Sequence, residues 1–237
     1  MNQKIDTIMP HQKWEFNKQV AYCFPNMLER SIPDYKSMRS LVYTIGKHFI
    51  MPKTWITDIG CSTGLAIEPF YHEYFSNNQY FLCDNSKAMI DTCKQKFYAG
   101  IKDGFVHIVK NNIFDENIPD NQSLILSVLS MQFIPTAYRQ NIINKIYQSL
   151  NTGGAFVFVE KIIADKGMNE LNVKLYYEMK KQNGYTKQAI LQKQKSLENV
   201  LSPLKSKWNE DMLLEAGFYK VDMFWRCLNF CGWIAVK

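Results

Sequence analysis

The chain lacks the cysteine and histidine spacings that build structural metal sites. Its six cysteines, at 23, 61, 83, 93, 227 and 231, form no C-x-x-C pair. Its four histidines, at 11, 48, 72 and 107, fall at no metal-binding interval. Structural zinc is therefore not expected, and the cysteines read as reduced thiols in a cytosol. No apolar run of about 18 residues occurs, and the segment MNQKIDTIMPHQKW has no apolar centre. The expectation is a cytoplasmic chain, neither secreted nor membrane-spanning. Internal repeats and low-complexity tracts are missing as well. A strong excess of one charge is also absent: +6 over 237 residues, with a pI of about 8.9, is too little to identify a nucleic-acid partner.

What is present is the composition of a folded domain. Hydrophobic residues make up 46% and charged residues 21%, and the length suffices for a substantial core. Residues 1–35 are mixed polar and aromatic with Pro10, Pro25 and Pro33, which predicts short helical pieces broken by turns. Met38, Leu41, Val42, Ile45 and Phe49 recur at helical spacing until Met51-Pro52 closes the pattern. Strand-like runs then alternate with helical ones: TWITDIG, LAIEPFYHEYF, QYFLCDN, SKAMIDTCKQKFY, FVHIVKNN, SLILSVLSM, TAYRQNIINKIYQSL and AFVFVEK. That rhythm implies βαβ units and a parallel sheet, with Asn151–Gly154 as a helix stop and turn. Residues 165–200 interrupt it with a polar helical insertion, and the final twenty residues read as an antiparallel pair closing the sheet edge.

The stretch WITDIGCSTG is a strand running into a glycine-punctuated turn. A dinucleotide fingerprint G-x-G-x-x-G starting at Gly60 would need glycines where Ser62 and Leu65 stand, so that cargo is disfavoured. The looser D-x-G-x-x-x-G of Asp58, Gly60 and Gly64 matches the first motif of class I S-adenosylmethionine-dependent methyltransferases. Asp84 ends the second strand, where a carboxylate can accept from both ribose hydroxyls. The plainer alternative is that the glycines only shape a turn and Asp84 only caps the helix beginning at Ser86. Asn112 and Ile113, after the third strand, are candidates to pair with an adenine edge and pack on its ring, or are simply a turn.

Together these blocks resemble the carboxy-S-adenosylmethionine synthase family, relatives of class I methyltransferases that convert S-adenosylmethionine and prephenate into carboxy-S-adenosylmethionine for tRNA wobble-uridine modification. WEFNKQVAYCFPNMLERSIPDY, DIGCSTG, CDNSKAMI, Gln132-Phe133, YQSLNTGGAFVFVEK, QNGY, KSLENVL and EAGF followed by WRCLNFCGWIAVK carry the resemblance over nearly the whole chain. It implies one α/β domain over 1–237: a Rossmann-like, doubly wound seven-stranded sheet with its last strand antiparallel. An N-terminal helical arm (1–50) would cover the cofactor, and the helical insertion (165–200) would form an acceptor wall. Homodimers are typical of the family.

Carried over by position, Tyr35 would meet the methionine end of the cofactor, Gly60 and Ser62 its length, Asp84 and Asn85 the ribose, and Asn112 and Ile113 the adenine. The family usually has Asp where Asn112 stands. Two departures weigh more. The family's arginine for the extra carboxylate falls on Gln194, and its strand-four asparagine falls on Val128. An arginine–carboxylate contact is charge-assisted, and its loss costs about 2–4 kcal/mol of ligand preference; Lys193 or Lys195 could restore the charge if the helix register shifts.

The leading expectation is therefore an S-adenosyl-L-methionine-dependent methyltransferase acting on a small molecule. The alternatives are a carboxy-S-adenosyl-L-methionine synthase, and a catalytically inactive RNA-binding or scaffold module. The last rests on Lys180, Lys181, Lys187, Lys193 and Lys195 interleaved with Tyr176, Tyr177 and Tyr185, but nucleic acid is the less favoured partner. Methyl transfer needs alignment and water exclusion more than acids and bases. Glu160, Tyr185, His48 and His72 are the candidates to orient an acceptor or take a proton. Each has a plain alternative: surface pairing with Lys161 for Glu160, packing for Tyr185, and solvent-edge positions for the histidines.

Overall fold

The apolar runs become strands buried on both sides, and their period of two feeds two separate cores. In a computed structural model, which describes residues 5–10, 12–165 and 167–237, β1 (Trp55–Ile59), β2 (Gln79–Asp84), β3 (Val106–Lys110), β4 (Gln122–Val128) and β5 (Leu150–Ile163) lie parallel. His11, one of the four histidines considered above, lies outside the described residues. Ile56, Leu124, Leu126, Ala155 and Val157 face one core; Ile59, Ile125, Phe156 and Phe158 face the other.

Helices cover both faces. Met38 and Val42 of α2 (Tyr35–Gly46), Phe70 and Tyr71 of α3 (Glu68–Tyr74), and Ile90 and Cys93 of α4 (Lys87–Lys96) fill the first core. Between α4 and β3 lies the one-turn α5 (Tyr98–Lys102). Ile142, Ile143 and Ile146 of α6 (Thr136–Ser149) and Leu213 of α9 (Ser206–Ala216) fill the second. The strand order is β3-β2-β1-β4-β5-β8-β7, with β7 spanning Lys220–Cys227 and β8 Phe230–Val236, and the short β6 (Leu204–Lys205) pairing with β5. Order reverses at β1 and β4, so the crevice at their carboxyl ends is where a doubly wound sheet binds ligands.

The terminal pair is antiparallel as expected, but the last strand takes the inner place. β8 is buried along nearly its whole length and pairs with both β5 and β7; β7 alternates in exposure and forms the edge. The segment Asn151–Gly154 is likewise not a turn ahead of the fifth strand. It belongs to β5, where the pairing with β4 shifts register between Gln122 and Leu124.

The N-terminal region also differs from the broken pieces predicted. One helix, α1 (Lys18–Ser31), runs through Pro25, capped by the Asn17 side chain on Val20 N–H. Proline removes one helical donor; burial of Val20, Phe24 and Met27 against Met89 offsets that loss. Ahead of α1 the arm crosses the sheet edge, held by Trp14 N–H on Ser196 O at 2.9 Å and by Ser86 Oγ–H on Phe16 O at 2.5 Å.

The insertion is two helices, α7 (Met168–Gln182) and α8 (Lys187–Leu197), and Asp6 ties the arm to it. The buried Asp6 carboxylate pairs with Lys193 Nζ on α8 and accepts from Tyr185 O–H and, at 3.0 Å, from Ile8 N–H. Arg30 adds bonds to Asp6 O (2.9 Å) and Asn183 O (2.7 Å) and stacks 4.2 Å from the Tyr185 ring. Replacing Asp6 by Ala leaves a buried ammonium without its partner. We expect urea denaturation to show a loss of about 3–5 kcal/mol, most of it recovered in the double variant Asp6→Ala/Lys193→Met.

Candidate functional site

Asp58 is the penultimate residue of β1 and Asp84 the last of the adjacent β2, so parallel pairing brings both carboxyls to the crevice. The turn between them is shaped from inside. Gly60 and Cys61 N–H both donate to Cys83 O (2.8 and 3.0 Å), Ser62 N–H donates to Asp84 Oδ2 (3.0 Å), and Gly64 N–H to Cys61 O (2.8 Å). These four donors are already used, so the turn is not a phosphate cradle. Its glycines serve close approach. A Cβ on Gly60 (φ +70°) would lie 2.4 Å from Ser130 Oγ at the end of β4, and one on Gly64 (φ +76°) 2.4 Å from Phe97.

A cavity of about 450 Å³, within the usual range for small-molecule sites, opens over this edge. Tyr35, Asp58, Gly60, Ser62, Asp84, Asn85, Asn112, Ile113 and Val128 all line it. Gly64 does not; it packs behind the turn against Phe97 and Cys93. Asp84 does not cap α4, whose N-cap is Ser86 through its own side chain on Met89 N–H; its Oδ1 instead accepts from Ser86 N–H (2.8 Å) and its carboxylate borders the cavity. Each carboxylate oxygen still has lone-pair capacity for a ribose hydroxyl. Asn85 Nδ2 donates to Asn112 Oδ1 (3.1 Å), which joins the ribose and adenine candidates.

Asp58 is buried on the cavity floor with Oδ2 unpartnered. Burial pushes its carboxyl up to about 7, against the pull of Arg39 and with the Asp84 charge adding to the rise. An orphaned buried carboxylate oxygen fits a cationic ligand group such as an α-ammonium. Burial also raises Tyr35, and Arg39 opposes it. Arg39 lines the cavity one turn after Tyr35 on α2 and donates to Leu65 O. The sequence reading passed over Arg39; the i, i+4 spacing from Tyr35 was the available signal.

The candidate acid–base residues lie elsewhere. Tyr185 is outside the cavity lining, and its hydroxyl is held by Asp6 and by Ser31 Oγ at 3.1 Å; it joins the arm to the insertion. Glu160 is buried behind the cavity wall rather than paired with Lys161 at the surface. Burial pushes it up to about 8, while Arg139 and the Ser130–Gln132 backbone draw it down less, neither carboxyl oxygen completing a hydrogen bond. His48 and His72 are exposed.

The insertion departs most from expectation. Gln194, the position of the family's arginine, faces solvent, and its neighbour Lys193 is buried and lines the cavity. Lys180 is buried and Lys161 half-buried, and both line the same wall. Lys181, Lys187 and Lys195 face solvent. The cavity is thus acidic over β1 and β2 and basic over β5 and the insertion, with β4 between them. Trp14, Phe16, Phe24, Phe133 and Leu197 close it with apolar surface from the arm, α1, the segment after β4, and α8.

This sheet order, crevice and carboxylate pair define a Rossmann-like S-adenosylmethionine-dependent transferase. Residues 56–154 match the family described as a methyltransferase domain. Human N-acetylserotonin methyltransferase in complex with SAM superposes at a TM-score of 0.61 with 14% identity, covering 93% of this chain and 55% of that one. PigF with SAH superposes at 0.63 with 14% identity, covering 96% and 63%. These two likenesses concern the fold.

Whole-length similarity is more specific. The carboxy-S-adenosyl-L-methionine synthase of Methylococcus capsulatus is 37% identical over 94% of this chain and 93% of its own length. That of Klebsiella pneumoniae is 34% identical over 94% and 91%. The chain belongs to the carboxy-S-adenosyl-L-methionine synthase family.

Two outcomes follow from the buried carboxyls. A cationic cofactor prefers ionised Asp58, so calorimetric affinity for S-adenosylmethionine should rise as pH increases through about 7 and level off above it; Asp58→Asn should flatten that rise. Glu160, raised above its unfolded value, favours the fold fully below the ordinary carboxyl range and loses that contribution as pH rises to about 8. Glu160→Gln should therefore gain stability relative to the parent as pH goes from 5 to 8 in urea titrations.

Proposed function

We propose that the protein makes the product its relatives are named for, carboxy-S-adenosyl-L-methionine, by transferring a carboxyl group from a small carboxylic acid to S-adenosylmethionine, with prephenate the donor that the family resemblance implies. The observation that carries this reading is the charge division of the cavity. Asp58 and Asp84 suit the cationic and ribose portions of S-adenosylmethionine, and the lysine wall suits an anionic donor beside it. This reverses the argument drawn from Gln194. The missing arginine charge has counterparts in Lys180 and Lys161, which line the cavity while Gln194 does not; Lys193 lines it too but is neutralised by Asp6.

S-adenosylmethionine, when bound, would supply a methyl carbon whose C–H bond the adjacent sulfonium acidifies. The donor's bond to its ring carboxylate would break as the ring aromatises with loss of hydroxide, the released carboxyl carbon would bond to the methyl carbon, and the methyl proton would leave with that hydroxide as water. The chain's own contribution is positional and electrostatic. Tyr35, Arg39 and Asp58 would hold the amino-acid end, Asp84 and Asn85 the ribose, and Asn112 with Ile113 the adenine. Trp14, Phe16 and Phe133 exclude water, which strengthens the charge contacts inside. Six free thiols and the absence, among the described residues, of any helix able to cross a membrane support a cytoplasmic setting. A homodimer, implied by the resemblance, belongs to the same proposal.

Plain methyl transfer is the second reading. It is favoured by Val128, an apolar side chain on the cavity wall where the family has asparagine. Incubation of purified protein with S-adenosylmethionine and prephenate, followed by mass spectrometry, separates the two. The expected product is a nucleoside heavier than S-adenosylmethionine by one carboxyl group and dependent on prephenate. Failure to form it would remove the carboxyl-transfer reading.

A further inference from the structure

Beyond β2 the cavity is bounded by the connection between β3 and β4, residues 111–121. This connection has no helix or strand of its own, so its side chains keep a fixed place only where something outside grips them. Its first half is a hydrogen-bonded turn. Asn111 Nδ2 donates to Glu116 Oε2 at 2.8 Å, Asp115 N–H to Asn112 O at 3.0 Å and Glu116 N–H to Ile113 O at 3.3 Å. Phe114 is the middle residue of that turn, and α6 holds it twice. Lys145 Nζ donates to Phe114 O at 3.2 Å and to Glu116 O at 3.4 Å. The Tyr138 ring lies on the Phe114 ring, with centroids 5.0 Å apart and planes 18° from parallel, an offset stack of the kind aromatic pairs favour.

Tyr138 is 47% exposed and does not border the cavity, whereas Phe114 is half-buried and does. The Phe114 ring therefore stands between Tyr138 and the cavity. Because Tyr138 keeps nearly half its surface in water, its contact with Phe114 is not a matter of filling the core. We propose that Phe114 is the base-stacking residue of the cofactor site, and that Tyr138 is a positioning residue which acts through it without touching the cofactor. The adenine that Asn112 and Ile113 would meet is a flat heteroaromatic ring. An aromatic face one residue further on gives it a stacking partner that neither of those side chains supplies. A phenylalanine on an irregular connection otherwise samples several rotamers and loses that freedom on binding; the Tyr138 ring fixes it beforehand.

The inference rests on the adenine end of the proposed cofactor placement and not on the carboxyl donor, so its test reads binding alone. S-adenosylhomocysteine and 5′-methylthioadenosine, which keeps base and ribose but lacks the amino-acid end, are titrated calorimetrically into parent and variants. Phe114→Ala should weaken both ligands by the same factor, about tenfold or more. Phe114→Tyr should stay within about threefold of the parent, and Phe114→Leu, apolar without a π face, should not. Tyr138→Ala should weaken both ligands about three- to fivefold, while Tyr138→Phe stays within about twofold, since the ring and not the hydroxyl makes the contact. In the Phe114→Ala background Tyr138→Ala should add nothing, the coupling expected of a residue that acts only through its neighbour.

With Phe114 half-buried and Tyr138 exposed, these variants should stay folded, which urea denaturation checks; if Phe114→Ala does not, Phe114→Leu carries the comparison. Unchanged affinities in the Phe114 variants, a loss confined to S-adenosylhomocysteine, no 5′-methylthioadenosine binding by the parent, or a Tyr138→Ala effect that persists in the double variant overturns the proposal. If the losses appear but no carboxylated nucleoside forms from prephenate, the stack stands and the carboxyl-transfer reading falls.

Discussion

The cavity depends on the close approach of strand ends at Gly60. With φ +70° and no side chain, Gly60 lets the end of β1 lie against Ser130 after β4, and Ser130 Oγ–H closes the contact by donating to Gly60 O at 3.0 Å. The turn that follows is then set by β2, whose Cys83 carbonyl and Asp84 carboxylate take its N–H groups. With those donors occupied, recognition passes to acceptors: Asp58 and Asp84 face the cavity instead of free amides. That is why the site suits a cationic, hydroxyl-bearing cofactor and not a pyrophosphate.

The opposite wall is governed by where charge is balanced inside the fold. Asp6 neutralises Lys193 and so docks the arm onto α8, with Tyr185 held between them. The same geometry carries Trp14 and Phe16 over the cavity as a roof. Lys161, half-buried, and Lys180, buried, receive no such compensation. A cation that the fold does not neutralise keeps its electrostatic capacity for a ligand. The structural price of that arrangement is confined to one wall, backed by the aromatic rings of Tyr176, Tyr185 and Phe230.

Much of the fold and half of the site were legible in the chain because they rest on local rules. Strands β1 to β5 announce themselves as short apolar runs, and the carboxyl-end crevice follows from parallel pairing once those strands are recognised. Asp58, Gly60, Ser62, Asp84, Asn85, Asn112 and Ile113 sit within three residues of strand ends, so reading the strands located the residues. Pro10, Pro25 and Pro33 signal breaks locally, whereas burial against Met89 carries α1 through Pro25. The Asn151–Gly154 segment misled because two glycines signal a turn locally, while the pairing of β5 with β4 extends past it.

The insertion could not be read in this way. Lys193 and Gln194 are adjacent and equally polar in sequence, yet a 100° step around α8 sends one into the cavity and leaves the other in water. Tyr185 becomes a latch and Lys193 a buried ion-pair partner only because Asp6, 187 residues before Lys193, folds beneath them. By itself the sequence determined the parallel sheet, the glycine turn and the acidic half of the cavity, since each depends on residues close together along the chain. Tertiary structure decided the basic half and the roof, because only long-range packing determines which lysines lose their water and which of those meet a carboxylate.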